Sequence, residues 1–141
     1  MSEELEIKLS NKLSELERFN QILTEFGMRQ GLAPEVVHDL NLAVEEILAN
    51  IISYAYTDGR EHEIRVRLSA QPEEVKAELE DDGEPFNPLE APEPDTAKPL
   101  EERTIGGLGI HLVRKLTDGL EYKRQGDRNL LTIKKKTGVL N

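Results

Sequence analysis

The sequence predicts an α+β fold of two layers, in which helices cover one face of a mixed, mostly antiparallel sheet. Two observations lead to this prediction. Segments in which apolar and polar residues alternate, as in a strand with one buried face, lie near both ends of the chain. Between them lie segments in which apolar residues recur every three or four positions, as in an amphipathic helix. The chain of 141 residues is long enough for one core, so we expect a single domain over residues 1–141.

The first part of the chain is predicted to form one strand and two helices. Alternation over residues 5–9 indicates the strand, and a helical apolar period indicates the first helix over about residues 11–30. Gly31 is expected to end that helix. Pro34 suits the first turn of a second helix, which is predicted to run to about residue 56.

The second part is predicted to return to strands. Alternation over residues 63–68 and 75–80, with a turn at residues 71–73, indicates two antiparallel strands. Residues 87–106 are rich in proline and poor in apolar side chains, and such a segment within a small domain is often a ligand lid. We therefore expect a flexible lid there. A helix over about residues 105–117 and a hairpin in the C-terminal tail are predicted to follow.

The composition disfavours several classes of function. A net charge of -10 and a pI near 4.8 repel nucleic acid and anionic membranes, so we expect neither as a partner. The chain has no cysteine, so it has no thiol nucleophile, thiolate metal site or disulfide. We find no secretory-signal pattern and no apolar run of the roughly 18 residues that a membrane span needs, and we expect a cytoplasmic protein.

Two polar side chains of the second helix are candidates for chemistry. Glu46 and Asn50 are one helical turn apart, so a carboxylate and a carboxamide share a face. Periodicity alone favours an exposed polar face, which is the more common meaning of such a pattern.

Two loops complete the candidate site. Asp81 closes a predicted strand, and Gly83 permits a close approach of the backbone to another group. A glycine cluster opens the last predicted helix, where free backbone N–H groups and the positive end of the helix dipole favour an anion. The cluster consists of Gly106, Gly107, Leu108 and Gly109.

Three stretches of the chain, in this order, resemble the motifs of the ATP-binding domain shared by gyrase-type ATPases, the Hsp90 chaperone, histidine kinases and MutL-type repair proteins. They are Glu46-Ile-Leu-Ala-Asn50, Asp81-Asp-Gly-Glu-Pro85 and Gly107-Leu-Gly109. The residues that follow Pro85 and Gly109 are more similar to the bacterial anti-sigma-factor serine/threonine kinases of that superfamily. The resemblance covers nearly the whole chain and implies the superfamily's Bergerat-type two-layer fold.

The resemblance implies roles for individual residues. Asn50 is expected to bind Mg²⁺ through its side-chain oxygen, with the ion bridging the triphosphate of ATP. Glu46 is expected to act as the catalytic base that takes the proton of the attacking hydroxyl. Asp81 is expected to accept a hydrogen bond from the adenine amino group, and Gly83 to leave room for the adenine ring.

The remaining implied contacts surround the nucleotide. Gly106, Gly107, Leu108 and Gly109 are expected to wrap the phosphates. Pro85 occupies the position of a second glycine in the wider superfamily, although the anti-sigma group tolerates proline there. Thr132 is expected to make a polar contact beneath the adenine. Tyr54, one turn beyond Asn50, stands where related proteins often have a basic or histidine side chain.

The resemblance implies a protein kinase that uses ATP and Mg²⁺. Its expected substrate is a serine or threonine of a small anti-sigma-factor antagonist, and its second expected partner is a sigma factor. A homodimer is also expected, as in the resembling kinases. Tyr54 leaves room for an alternative, a non-catalytic switch in which ATP binding only sets the conformation of a protein that binds a signalling partner. A domain that binds no nucleotide is the third interpretation.

Overall fold

The structure, a computed structural model, describes residues 3–90 and 109–138. Within these residues the chain forms five strands, three α-helices and one short 3-10 turn. In chain order they are β1 (Glu3–Ser10), α1 (Glu15–Gln30), α2 (Pro34–Tyr54), β2 (Glu63–Ala70), β3 (Glu74–Asp81), the 3-10 turn (Pro88–Glu90), α3 (Gly109–Leu116), β4 (Gly119–Gln125) and β5 (Arg128–Lys136).

The five strands form one sheet in the order β1-β2-β3-β5-β4. Every strand pair within the described residues is antiparallel. The last hairpin turns back into the sheet, so β5 pairs with β3 and β4 becomes an edge. The predicted two-layer α+β fold is confirmed, with a sheet that is antiparallel in the described part of the chain.

The core lies between the helices and one face of the sheet. Burial alternates along β2 and β3, so one side chain in two points into the core. The opposite face carries charged side chains that pair with one another, such as Arg67 with Glu78 and Glu80. The fully buried side chains include Phe19, Leu23 and Phe26 of α1, Leu40, Val44 and Ile47 of α2, and Ile64, Val66, Leu68 and Leu79 of the sheet.

Helix α1 begins four residues later than predicted. Ser14 makes no side-chain cap, and the Glu15 carboxylate accepts hydrogen bonds from the backbone N–H and the hydroxyl of Ser10, 3.0 and 3.2 Å long. These bonds hold the preceding residues in a turn, and Leu13 is consequently 44 % exposed instead of buried. The apolar period alone therefore placed the start of the helix too early.

The predicted lid falls largely outside the described residues. Only its first part is described, where Pro88–Glu90 form the 3-10 turn. Gly106, Gly107 and Leu108 also lie outside the described residues, while Gly109 begins α3. Across residues 3–90 and 109–138, none of the helices is long and apolar enough to cross a membrane. The single-domain organisation remains a prediction.

Candidate functional site

Helix α2 carries three buried polar atoms that lack a partner among the described residues, and two of them, on Glu46 and Asn50, lie one helical turn apart. Asn50 is 3 % exposed, and its Nδ2 has no hydrogen-bond acceptor among the described residues. The Oε2 atom of Glu46, one turn earlier, is also buried without a donor. Buried polar atoms are almost always paired, so two unpaired ones on one face of a helix indicate a place that a ligand completes. This placement favours a site over the exposed polar face that periodicity also allowed.

The surroundings of Glu46 change its acidity. Burial, and then the charge of the neighbouring Glu45, raise the pKa of the Glu46 carboxyl. Glu45 itself points elsewhere, because it accepts a hydrogen bond of 3.2 Å from Asn20 of α1. A carboxylate with a raised pKa is a stronger base than an ordinary one, which suits proton abstraction.

The second part of the site is the Asp81 carboxylate at the end of β3. Asp81 is 1 % exposed, and its Oδ1 accepts hydrogen bonds from the backbone N–H of Gly83 (2.9 Å) and from the Asn129 carboxamide (2.8 Å). Its Oδ2 accepts no bond from the described residues. Burial raises the pKa of Asp81, and the two hydrogen bonds oppose that rise because they favour the charged form. The arrangement fixes the carboxylate and leaves one oxygen to meet a donor.

Gly83 is required by a close contact with the end of α2. A Cβ built on Gly83 would lie 2.6 Å from the carbonyl oxygen of Ala55 and 2.8 Å from its Cβ. The next residue, Glu84, donates its backbone N–H to the same carbonyl at 2.8 Å. The glycine therefore lets the loop after β3 join the end of the helix that carries Glu46 and Asn50.

The Asn129 carboxamide on β5 holds this loop in place. Besides its bond to Asp81, its Nδ2 donates to the carbonyl of Glu84 at 2.9 Å. Its Oδ1 accepts the backbone N–H of Phe86 at 3.3 Å and the hydroxyl of Tyr122 from the edge strand β4. One buried side chain thus connects the strand that bears the carboxylate, the loop that follows it and the outer strand.

Sequence reasoning missed Asn129. Asn129 faces Asp81 in the β3–β5 register, and it lies on the same side of β5 as the buried Leu131 and Ile133. The signal that could have found it is a carboxamide at an inward position of a strand, since buried polar side chains are expected to have a partner.

The structure corrects the predicted position of Thr132. Residues of β5 alternate between faces, and Leu131 and Ile133 point into the core. Thr132 consequently lies on the outer face, opposite Glu78 of β3 and Glu121 of β4 in the sheet register. Asp81 is on the inner face, so Thr132 does not reach the same ligand.

Two other predicted residues lie on elements that contact α2 or the residue that follows it. Pro85 lies in the loop after β3, exposed, next to the half-buried Phe86. Gly109 starts α3, which packs against α2. The structure therefore brings the loop after β3 to the end of α2 and packs α3 against the same helix.

The chain is similar to a protein family and to named relatives. A profile of the histidine kinase-like ATPase domain matches residues 9–135. The serine/threonine-protein kinase BtrW of Bordetella bronchiseptica is 31 % identical over 79 % of this chain and 78 % of its own length. The serine-protein kinase RsbW of Oceanobacillus iheyensis is 29 % identical over 73 % of this chain and 68 % of its own length.

A solved structure shares the fold. The crystal structure of the RsbU and RsbW domains of a Mycobacterium tuberculosis protein superposes with a TM-score of 0.65 at 14 % identity, over 94 % of this chain. The present chain spans 32 % of that longer chain. The matched profile covers the helix with Glu46 and Asn50, the strand that ends at Asp81 and the strand with Asn129. The chain belongs to the histidine kinase-like ATPase domain family.

Proposed function

We propose that this chain is a serine/threonine kinase, dependent on ATP and magnesium, that phosphorylates a small anti-sigma-factor antagonist and also binds a sigma factor. The observation that carries the proposal is a pair of buried atoms on α2 without partners among the described residues, Oε2 of Glu46 and Nδ2 of Asn50. The family and the kinase names of the relatives support it.

Adenine recognition is the role we propose for Asp81. Its Oδ1 is occupied by two donors, so its Oδ2 is the atom available to the exocyclic amino group of adenine. Guanine carries a carbonyl oxygen at that position, and two acceptors facing each other repel. A fixed carboxylate with one free oxygen therefore selects ATP over GTP.

Phosphoryl transfer is the role we propose for the α2 face. The hydroxyl oxygen of a serine or threonine attacks the γ-phosphorus, and the bond from that phosphorus to the β–γ bridging oxygen breaks, so ADP leaves. The Glu46 carboxylate takes the proton that the hydroxyl loses. The raised pKa of Glu46 makes it a better acceptor for this proton.

Magnesium fits the side chain that we assign to it. The Nδ2 of Asn50 is buried without an acceptor among the described residues, and the same carboxamide carries an oxygen, the ligand type that a hard cation prefers. A magnesium ion held by Asn50 would supply positive charge to neutralise the phosphates. Residues 3–90 and 109–138 hold no group of three or more His, Asp or Glu that could hold a metal ion.

A second candidate function is a nucleotide-dependent binding switch without phosphotransfer. Tyr54 favours it, because this residue offers a neutral phenol one turn beyond Asn50, where the resembling kinases often have a basic or histidine side chain. The two functions share the ATP site and differ in whether Glu46 is used.

The first experiment tests the ATP site. Magnesium-ATP is expected to raise the melting temperature, and Asn50→Ala to remove most of that rise, because binding to the folded state stabilises it by mass action. Calorimetry that detects no binding of ATP in the presence of magnesium contradicts both candidate functions.

The second experiment separates kinase from switch. The protein is incubated with labelled ATP and a candidate small anti-sigma-factor antagonist protein. Glu46→Gln is expected to keep the thermal response to ATP and to lose transfer of label. Glu45→Gln is the matched control, because it removes the adjacent carboxylate, which is bonded to Asn20. ATP binding without transfer in the wild type supports the switch.

The pH dependence of transfer gives a further check. Transfer is expected to rise with pH as Glu46 loses its proton, with a midpoint above that of an ordinary glutamate. Since the charge of Glu45 contributes to the raised pKa, Glu45→Gln is expected to move the midpoint to lower pH. A midpoint that is identical in wild type and Glu45→Gln speaks against Glu46 as the base.

A further inference from the structure

Tyr54 is an exposed aromatic side chain beside the proposed nucleotide site. The chain has three phenylalanines and three tyrosines, all within the described residues, and five of these side chains are buried or half-buried. Tyr54 alone is exposed, at 47 %. It lies one turn beyond Asn50 and two turns beyond Glu46, so the three side chains follow one side of α2.

The Tyr54 ring contacts Phe86 in the loop that follows Asp81. Its centroid lies 5.9 Å from that of Phe86, with the rings tilted by 42°. The backbone N–H of Phe86 is held by Asn129, and the same carboxamide holds Asp81. The Asn129 side chain thus holds both the Asp81 carboxylate and the backbone of Phe86. Tyr54 is connected to the same network through its contact with the Phe86 ring.

We propose that Tyr54 stacks against the nucleoside half of bound ATP, with Phe86 supporting its ring. This inference rests on the ATP site proposed above. Asn50 marks the phosphate end of that site and Asp81 the adenine end. Tyr54 lies past Asn50 along α2 and is joined through Phe86 to the Asp81 loop. A neutral aromatic face suits a base or a ribose, whereas it cannot neutralise a phosphate.

The proposal makes Tyr54 a binding residue whose ring matters more than its hydroxyl. Stacking of an aromatic side chain on a base strengthens binding by about 5- to 150-fold when the loss on alanine substitution is converted to an affinity ratio. Tyr54→Ala is therefore expected to weaken magnesium-ATP binding within that range. Tyr54→Phe is expected to bind with nearly the wild-type affinity, because phenylalanine keeps the ring.

Calorimetric titration with magnesium-ATP tests this expectation. Wild type, Tyr54→Ala, Tyr54→Phe and the control Met28→Ala are compared, since Met28 is an exposed apolar residue of α1, 77 % accessible. The melting temperature of each protein without ligand shows whether it is folded. Equal ATP affinity in wild type and Tyr54→Ala overturns the proposal. An equal loss in Tyr54→Phe and Tyr54→Ala also overturns it, because the hydroxyl, and not the ring, would then make the contact.

Tyrosine fluorescence gives an independent readout, since the chain has no tryptophan. Addition of magnesium-ADP is expected to change the emission of the wild type and of Tyr56→Phe, and to leave the emission of Tyr54→Phe nearly unchanged. A change in Tyr54→Phe as large as in the wild type counts against the contact. The two proposals can be contradicted separately. If the wild type binds no ATP, the proposed ATP site is wrong. If the wild type and Tyr54→Ala bind ATP equally well, only the role of Tyr54 is wrong.

Discussion

Removing the Asn129 carboxamide is the sharpest test of how the adenine end of the site is built. Asn129→Ala deletes two donated bonds, to Asp81 and to the Glu84 carbonyl, and two accepted bonds, from Phe86 and Tyr122. Because Asn129 is 3 % exposed, water does not readily replace these partners.

The expected loss of stability follows from these four bonds. Each contributes about 1 kcal/mol net, and the bond from Phe86, at 3.3 Å, is the weakest. We expect the free energy of unfolding to fall by about 3 kcal/mol, which at this chain length lowers the melting temperature by roughly 6–12 °C. The bond from Asn129 also favours the charged form of Asp81, so its loss raises the pKa of that carboxyl further.

The assay is thermal unfolding with and without magnesium-ATP. Asn41→Ala is the matched control, because Asn41 is also a buried asparagine, 8 % exposed, but its Oδ1 has no partner among the described residues. Its replacement is expected to cost less than about 1 kcal/mol, since alanine favours the helix and removes an unpaired acceptor. Equal falls in melting temperature for Asn129→Ala and Asn41→Ala refute the reasoning, and so does an unchanged ATP response in Asn129→Ala.

Two further predictions concern the neighbouring loops. Gly83→Ala is expected to lower the free energy of unfolding by about 1–3 kcal/mol and to weaken ATP binding, because its Cβ meets the Ala55 carbonyl at 2.6 Å; chemical denaturation and calorimetry measure the two effects. The Nε2 of His62 lies 2.8 Å from Oδ2 of Asp58, and its Nδ1 lies 3.2 Å from Oδ1 of Asp82. The hydrogen bond with Asp58 is the main cause that raises the pKa of His62. Because the pKa of His62 is higher in the folded than in the unfolded state, protonated His62 stabilises the folded state fully below about pH 6.5, the unfolded pKa. This stabilisation is lost as the pH rises through the folded pKa. The melting temperature of His62→Gln should therefore fall furthest below that of the wild type near pH 6, and a gap that widens toward pH 9 contradicts this assignment.

Local patterns predicted the elements because helix and strand periods are properties of short stretches. The spacing of Glu46 and Asn50 places them one turn apart in any helix, so their shared face followed from the sequence. Their burial did not follow, because glutamate and asparagine usually lie on exposed faces. The start of α1 was also missed, since the Ser10–Glu15 bonds that fix it compete with a continuing apolar period.

The error at Thr132 has a different origin. Adjacent apolar residues Leu130 and Leu131 leave the period-two pattern of β5 ambiguous, so the sequence does not say which of them points into the core. The β3–β5 pairing resolves this, because it places Asn129 opposite Asp81 and turns Thr132 outward. Such pairing joins residues 48 positions apart, and no local pattern reports it.

Contacts at the end of α2 connect two motifs that are separate in the sequence, the helix with Glu46 and Asn50 and the strand that ends at Asp81. Glu46 and Asn50 lie on α2, and Asp81 lies on β3, but the Glu84–Ala55 hydrogen bond joins the loop after β3 to the end of that helix. A nucleotide that engages Asp81 therefore meets a loop that is already tied to α2. If Asp81 and Glu46 have the roles proposed above, a mutation at Gly83, which forces this loop away from Ala55, is expected to weaken ATP binding and to slow phosphoryl transfer as well.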